Sequence, residues 1–124
     1  MADNQDSILD STKKVLGFEA DYRAFDLDIM IHINTAFNIL ESLGVGPNGG
    51  YMIEGHENTW DEFTQNDTQL NSVKTYVYIK TRLLFDPPST SYIINSFNEL
   101  AKELEWRLQV HSEGGILDTA RTND

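Results

Sequence analysis

The feature that most constrains the fold is a pair of amphipathic segments joined by a proline corner, between Lys74 and Leu108. In and just before the first segment, apolar residues recur at helical spacing on one face: Leu70, Val73, Val77 and Leu84. Pro87 and Pro88 end this helix, because a proline disfavours helical backbone in the preceding residue and has no amide donor. After Ser89 or Thr90, which can cap a helix, the spacing resumes at Ile93, Phe97, Leu100, Leu104 and Leu108. The sequence therefore predicts a helix, a corner and a second helix.

One part of this stretch has a second interpretation. Tyr76 to Ile79 would also suit a buried strand by residue propensity alone. The length of the apolar pattern and its polar flanks favour a helix.

Two further helices are predicted upstream. Asp6 or Ser7 caps the first, near residues 7–16, and Gly17 stands at its C-terminal end. Asp26 opens the second, near residues 26–43, which ends before Gly44.

With helices near 68–85 and 90–111, the predicted fold class is all-α. The expected architecture is a small bundle of about four helices, with one long irregular loop between the second and third main helices. Residues 1–111 form the predicted helical domain. Gly114 and Gly115 are expected to break the last helix, so residues 112–124 are predicted to be a flexible C-terminal arm carrying Ile116 and Leu117.

The long loop, residues 45–67, is expected to project from the bundle and to contact partners. Thr59 resembles the cap of a single helical turn that carries Trp60 and Phe63. The loop also holds four candidate metal ligands: Glu54, His56, Glu57 and Asp61. Their spacing matches neither a calcium loop nor a histidine-pair zinc site, so neither a metal nor a cofactor is predicted.

Charge is the strongest compositional signal, with a formal net charge of −11. Between Arg23 and Lys74 there is no Lys or Arg, and the carboxylates there are Asp26, Asp28, Glu41, Glu54, Glu57, Asp61, Glu62 and Asp67. This distribution argues against a nucleic-acid-binding surface, because phosphate contacts require basic side chains. Two interpretations remain: a solvated surface that maintains solubility, or a surface that meets a basic partner or must not adhere to DNA.

Enzymatic motifs are missing from the sequence. The chain has no cysteine, no glycine-rich phosphate loop and no nucleophile elbow, and its three histidines lie on different predicted elements. No apolar run reaches membrane-spanning length, and residues 1–10 lack a signal-peptide pattern. The sequence therefore predicts a non-enzymatic assembly or interaction domain without a membrane partner.

Trp106 lies on a flank of the last helix, away from the stripe containing Leu104 and Leu108. It belongs either to a second core face or to a contact between subunits. Tyr78, Phe85 and Trp106 are the predicted subunit-interface residues.

Three motifs in order resemble the small head–tail connector (head-completion or adaptor) proteins of tailed phages with long non-contractile tails, and of their prophages. They are the helix FDLDIMIHINTAFNILESLGVGP, the segment from Trp60 to Phe63, and VKTYVYIKTRLLFDPPSTSYI followed by ELAKELEWRL. The resemblance covers roughly residues 7–110.

The resemblance implies a virion protein at the head–tail junction, present in the host cytoplasm before assembly. Such subunits form a ring, twelve-fold in the assembled particle, that extends the DNA channel beneath the portal protein. The ring docks the next neck (stopper) or tail protein, and DNA passes through without specific binding. Within this picture Glu54, Glu57, Asp61 and Glu62 are the candidate channel-facing residues, and Ile116 and Leu117 the candidate portal-docking arm. The alternative is an acidic inhibitor or DNA mimic that binds a basic protein.

Overall fold

The computed structural model describes the backbone of residues 6–64 and 67–123, and their side chains except those of residues 67 and 114–123. Five helices occur in these ranges: α1 (Ile8–Leu16), α2 (Asp26–Ser42), α3 (Trp60–Phe63), α4 (Asp67–Phe85) and α5 (Ser91–Asn123). The only β pairing in the described ranges is an isolated antiparallel bridge between Ser7 and Thr59. The predicted all-α fold is therefore confirmed.

Helix α4 is the centre of the bundle and packs against α1, α2 and α5. Its buried face consists of Leu70, Val73, Tyr76 and Val77. Tyr76 to Ile79, which a strand would also have suited, lies inside this helix. The core against α4 is completed by apolar side chains of α2, namely Ile29, Ile33, Ala36, Phe37 and Leu40.

Helix α1 begins and ends as its sequence predicts. The Ser7 hydroxyl accepts a hydrogen bond from the Asp10 amide at 3.1 Å, and Gly17 terminates the helix with a φ of 96°. That left-handed backbone is accessible to glycine because it has no Cβ. The buried face of α1 differs in one respect from an apolar stripe, because Lys13 is fully buried while Val15 is 51% exposed.

The proline corner joins α4 and α5 as an antiparallel pair. The Asp86 amide closes α4 on the Arg82 carbonyl at 2.9 Å, and the Thr90 carbonyl accepts from the Ile94 amide at 3.1 Å as α5 begins. Further along α5, the face formed by Ala101, Leu104 and Leu108 is buried. The Tyr76 hydroxyl donates to the Glu105 carboxylate at 2.7 Å, which joins the two helices by a polar contact.

The expected end of the last helix at residue 111 is wrong, because α5 continues through Gly114 and Gly115 to Asn123. A glycine inside a helix costs about 1 kcal/mol relative to alanine but retains its amide donor, unlike proline, so the helical hydrogen bonds continue. The Ser112 hydroxyl donates to the Gly44 carbonyl at 3.0 Å. The side chains of Ile116 and Leu117 lie outside the described residues, and the division at residue 112 stays a prediction.

The link between α1 and α2 closes one end of the bundle with aromatic rings. Phe18 stacks on Tyr22 with ring centroids 5.6 Å apart, and Phe25 meets Phe85 edge-on at 5.6 Å. These rings therefore pack at the junction between α1, α2 and the end of α4. Among the described helices, none combines the length and the apolar character needed to cross a bilayer.

Candidate functional site

The segment between α2 and α4 is attached to α2 by one side chain. The Asn34 amide donates to the Ile53 carbonyl at 3.1 Å, and its oxygen accepts from the Ile53 amide at 2.8 Å. An Asn side chain thus replaces the partner strand that an extended segment would otherwise need. Ile53 is buried, and its neighbour Met52 is 64% exposed.

The same segment is attached to the N-terminal end of α1 by backbone hydrogen bonds. The Ile8 amide donates to the Asn58 carbonyl at 3.0 Å, and the Trp60 amide donates to the Asp6 carbonyl at 3.3 Å. These bonds occupy an orphan amide at the start of α1 and align the segment beside it.

Trp60 fixes α3 in the core. Its side chain is fully buried, and its indole Nε1 donates to the Ser11 hydroxyl at 3.0 Å. The ring meets Phe37 and Tyr78 edge-on, with centroids 6.2 and 5.9 Å apart. Trp60 is therefore a core residue of the subunit.

Glu62 organises the turn around α3. Its Oε1 accepts hydrogen bonds from the Tyr51 hydroxyl at 2.9 Å, the Asn58 amide group at 3.0 Å and the Thr59 backbone amide at 3.3 Å. The bonds from Asn58 and Tyr51 chiefly lower the pKa of Glu62. Burial, together with the contact to the Glu62 carboxylate, raises the pKa of Tyr51. The predicted turn capped by Thr59 is present, and Glu62 is part of its cap.

A charged cluster joins the segment to both α1 and α2. His56 Nδ1 lies 2.5 Å from an Asp10 oxygen, and its Nε2 lies 3.0 Å from an Asp26 oxygen. The other Asp26 oxygen lies 2.7 Å from the ammonium nitrogen of Lys13. Burial would raise the pKa of Asp26, but the hydrogen bond and charge of Lys13, aided by His56, hold it below its ordinary value.

The expectation that this loop projects from the bundle is therefore wrong. Hydrogen bonds, a buried Trp and the charged cluster hold it against α1 and α2, because its backbone polar groups find partners there rather than in water. Of the four candidate channel-facing residues, Glu54 and Glu57 are exposed, Asp61 is half-buried, and Glu62 is exposed but hydrogen-bonded within the loop. All four lie on one segment, and their orientation toward a channel is untested.

The three candidate subunit-interface residues have different surroundings. Tyr78 packs edge-on against Trp60, and Phe85 lies among Phe18 and Phe25, so both rings have partners within the subunit. Trp106 is 64% exposed, which excludes the alternative of a second core face. It borders a shallow groove with Leu100 and Lys102.

In the part of the chain that the structure describes, no group of three or more His, Asp or Glu side chains is placed to hold a metal ion. The His56 cluster contains cationic partners, since Lys13 Nζ contacts Asp26 and an Arg23 nitrogen lies 2.7 Å from His56 Nε2.

Sequence reasoning missed this cluster because its members come from separate elements. A signal was present in Lys13, which lies four residues after Leu9 on the buried side of α1 and therefore required a buried partner. Asp26 was interpreted only as a residue at the positive end of a helix dipole. It is also that partner.

Comparison with known proteins agrees with the resemblance seen in the sequence. A family model described as phage connector protein matches residues 8–115. The match begins at the first residue of α1 and ends three residues beyond Ser112, whose hydroxyl contacts Gly44. No curated protein and no solved structure shows significant similarity to the chain.

Proposed function

We propose, on the premise that this chain belongs to the phage connector protein family, that it is the head–tail connector subunit of a tailed phage or prophage. In this role it forms a ring beneath the portal protein, extends the DNA channel and provides the docking surface for the next neck or tail protein. Its place is the head–tail junction of the virion, and its role is structural rather than catalytic.

The observation that carries the proposal is the family match over residues 8–115. This range contains α1 to α4 entirely and the part of α5 that packs against α4. The similarity thus extends over the whole bundle rather than over one short motif, which supports a shared role as well as a shared fold.

The charge distribution supports a channel lining. The segment between Arg23 and Lys74 contains carboxylates and no Lys or Arg, and Glu54 and Glu57 are exposed on it. A surface past which DNA slides must not bind phosphate, and fixed negative charge repels it. We therefore keep Glu54 and Glu57 as the leading channel-facing residues, with Asp61 and Glu62 beside them.

Portal docking is assigned to the end of α5. Among the described side chains of α5, Ser112 makes the last hydrogen bond to the bundle, to the Gly44 carbonyl. At 1.5 Å per residue α5 is about 50 Å long and α4 about 28 Å, so the end of α5 has no neighbour in α4. We propose that this end, with Ile116 and Leu117, is the arm that binds the portal.

The second candidate function is an acidic inhibitor or DNA mimic. The net charge of −11 favours it, because an acidic surface matches a basic DNA-binding partner. Such a protein would act as a monomer or dimer, and it would not be expected to bind a portal protein.

The test is electron microscopy of the purified full chain, alone and mixed with its cognate portal protein. A connector yields annular particles stacked coaxially on the portal, and the two proteins co-elute in size-exclusion chromatography. Failure to bind the portal, together with capture of a DNA-binding protein by the monomer or dimer, would contradict the connector and favour the inhibitor.

A further inference from the structure

Two apolar surfaces on the outside of the bundle have no partner among the residues that the structure describes. The first, called here the α2 face, consists of Leu27, Ile31 and Met52. Leu27 and Ile31 are one helical turn apart and are 69% and 53% exposed. Met52 extends this face along α2, because it borders Asn34 and Asn38, which continue the same side of the helix beyond Ile31.

The second surface, called the α5 face, lies on the outer side of α5. It consists of Tyr92, Trp106 and Val110, which lie on the side of the helix opposite to Ala101, with Leu100 at its border. Tyr92 and Trp106 are 79% and 64% exposed. A tryptophan in this setting is the type of residue that anchors protein interfaces.

The two faces belong to helices on different sides of the same core element. α2 and α5 each pack extensively against α4, and the contact between α2 and α5 is minor. A subunit with two distinct apolar faces on different flanks can bind one neighbour through its α2 face and a second neighbour through its α5 face. Such a head-to-tail contact forms a ring when the rotation closes.

The charges around the α2 face disfavour a symmetric contact between two α2 faces. The α2 face is flanked by the exposed carboxylates of Asp28 and Glu54, and no Lys or Arg lies between Arg23 and Lys74. Two α2 faces would therefore repel each other. The α5 face carries the exposed cations Lys102 and Arg107 beside the exposed carboxylates of Glu99 and Glu103, and Glu103 lies 3.1 Å from Arg107. These charges balance, so the α5 face does not repel the α2 face as a second α2 face would.

We propose that the α5 face of one copy, anchored by Trp106, packs on the α2 face of the next copy, with Lys102 near its carboxylates. The occupant of each face is thus a second copy of this chain. This inference rests on the proposed ring and adds its polarity and its residues. It assigns no role to Tyr78 or Phe85 between subunits.

Cross-linking tests the polarity, since the natural chain has no cysteine and each introduced thiol is unique. Asn38→Cys lies on the side of α2 that carries the α2 face, two turns after Ile31, and Glu99→Cys lies on the α5 face, two turns before Trp106; both positions are exposed. The two single variants are mixed in the presence of the cognate portal and treated with a flexible bismaleimide. The head-to-tail contact predicts a cross-linked dimer in the mixture and none with either variant alone.

Three further reactions complete the test. A chain carrying both cysteines should yield a ladder of cross-linked species. Adding Trp106→Ala to the Glu99→Cys chain should reduce the mixed cross-link by about tenfold or more, as for an interface anchor. Replacing Asn38→Cys by Thr75→Cys, exposed on α4 away from both faces, should abolish it.

Portal binding is recorded in the same samples by co-elution. A Glu99→Cys chain that cross-links to itself would overturn the proposal in favour of a symmetric α5 contact. No mixed cross-link on a portal-bound ring would also overturn it, while leaving the connector function intact. Loss of portal binding by the unmodified chain would instead contradict the connector function.

Discussion

Lys13 and Asp26 form an ion pair across the junction of α1 and α2, with Nζ and Oδ1 2.7 Å apart and the lysine side chain 1% exposed. Lys13 also donates to the Ala20 carbonyl at 2.8 Å. Removing one member of a buried pair leaves the other charge uncompensated, which is strongly destabilising. We expect Asp26→Asn to lower the free energy of unfolding by about 3 kcal/mol in urea titrations.

The matched control is Asp28→Asn, an exposed carboxylate two residues further along α2, which should change stability by less than about 0.5 kcal/mol. The double variant Lys13→Met, Asp26→Leu should recover part of the loss, because an apolar pair has no desolvation cost. Equal stability of Asp26→Asn and the natural chain would show that the pair contributes nothing.

Stability should also depend on pH through Asp26. Its folded pKa lies below its unfolded value near 3.9, so its contribution is complete above that value and disappears as the pH falls through the folded pKa. We expect the free energy of unfolding to decrease below about pH 4, and less steeply in Asp26→Asn than in the natural chain. Urea titrations at a series of acidic pH values measure how steeply the free energy of unfolding falls with pH in each chain. Equal slopes in the two chains would show that Asp26 does not cause the pH dependence.

The two tryptophans should differ in every respect that depends on burial. Trp60→Ala is expected to cost about 3–5 kcal/mol, since it removes a buried aromatic side chain and its hydrogen bond to Ser11. Trp106→Ala should leave the thermal transition of the monomer nearly unchanged. Two variants that each retain a single tryptophan, Trp106→Phe and Trp60→Phe, separate the fluorescence of the two residues. Emission should be blue-shifted in the chain that retains Trp60 and not in the chain that retains Trp106.

Charge reversal in the loop should create DNA binding. In Glu54→Lys, Glu57→Lys, the local charge changes by about four units per subunit, repeated around the ring. The ring should then retain DNA in a salt-dependent manner, whereas the natural ring should not bind at physiological salt. Filter binding at several salt concentrations measures this, and the variant particles should package or eject DNA poorly.

The control for charge alone is Glu19→Lys, Asp21→Lys, two exposed positions in the link between α1 and α2. Glu62 is unsuitable for reversal, since its carboxylate accepts three hydrogen bonds within the loop. Normal packaging and ejection by the Glu54, Glu57 variant would show that these carboxylates face solvent outside the channel.

Truncation should separate folding from docking. Deleting residues 114–124 preserves the hydrogen bond from Ser112 to Gly44 and the contacts of Leu108, so the thermal transition should move little. Attachment to the portal should weaken, because the proposed arm is lost. Substituting Ile116 and Leu117 with Ser in the full chain should weaken attachment similarly. Unchanged portal affinity in both variants would exclude the arm.

The sequence by itself determined the helices and most of their ends. The helical spacing of Val73 and Val77, and of Leu104 and Leu108, predicts one buried face on each of the two long helices. Pro87 and Gly17 end helices through the backbone conformations that these residue types disfavour or allow. Local chemistry also predicted the helical turn that Thr59 caps. These features depend on residues close together in the chain, so a short segment of sequence is enough to predict each of them.

Only the tertiary structure decided where the long loop lies and which charges are paired. His56 contacts Asp10 and Asp26 from 46 and 30 residues away, and Asn34 holds Ile53 across 19 residues. Packing determines such partners, because a buried polar group must pair with a complementary group that the fold brings close to it. The exposure of Trp106 likewise depends on α5 packing mainly against α4, a fact that helical periodicity alone does not contain.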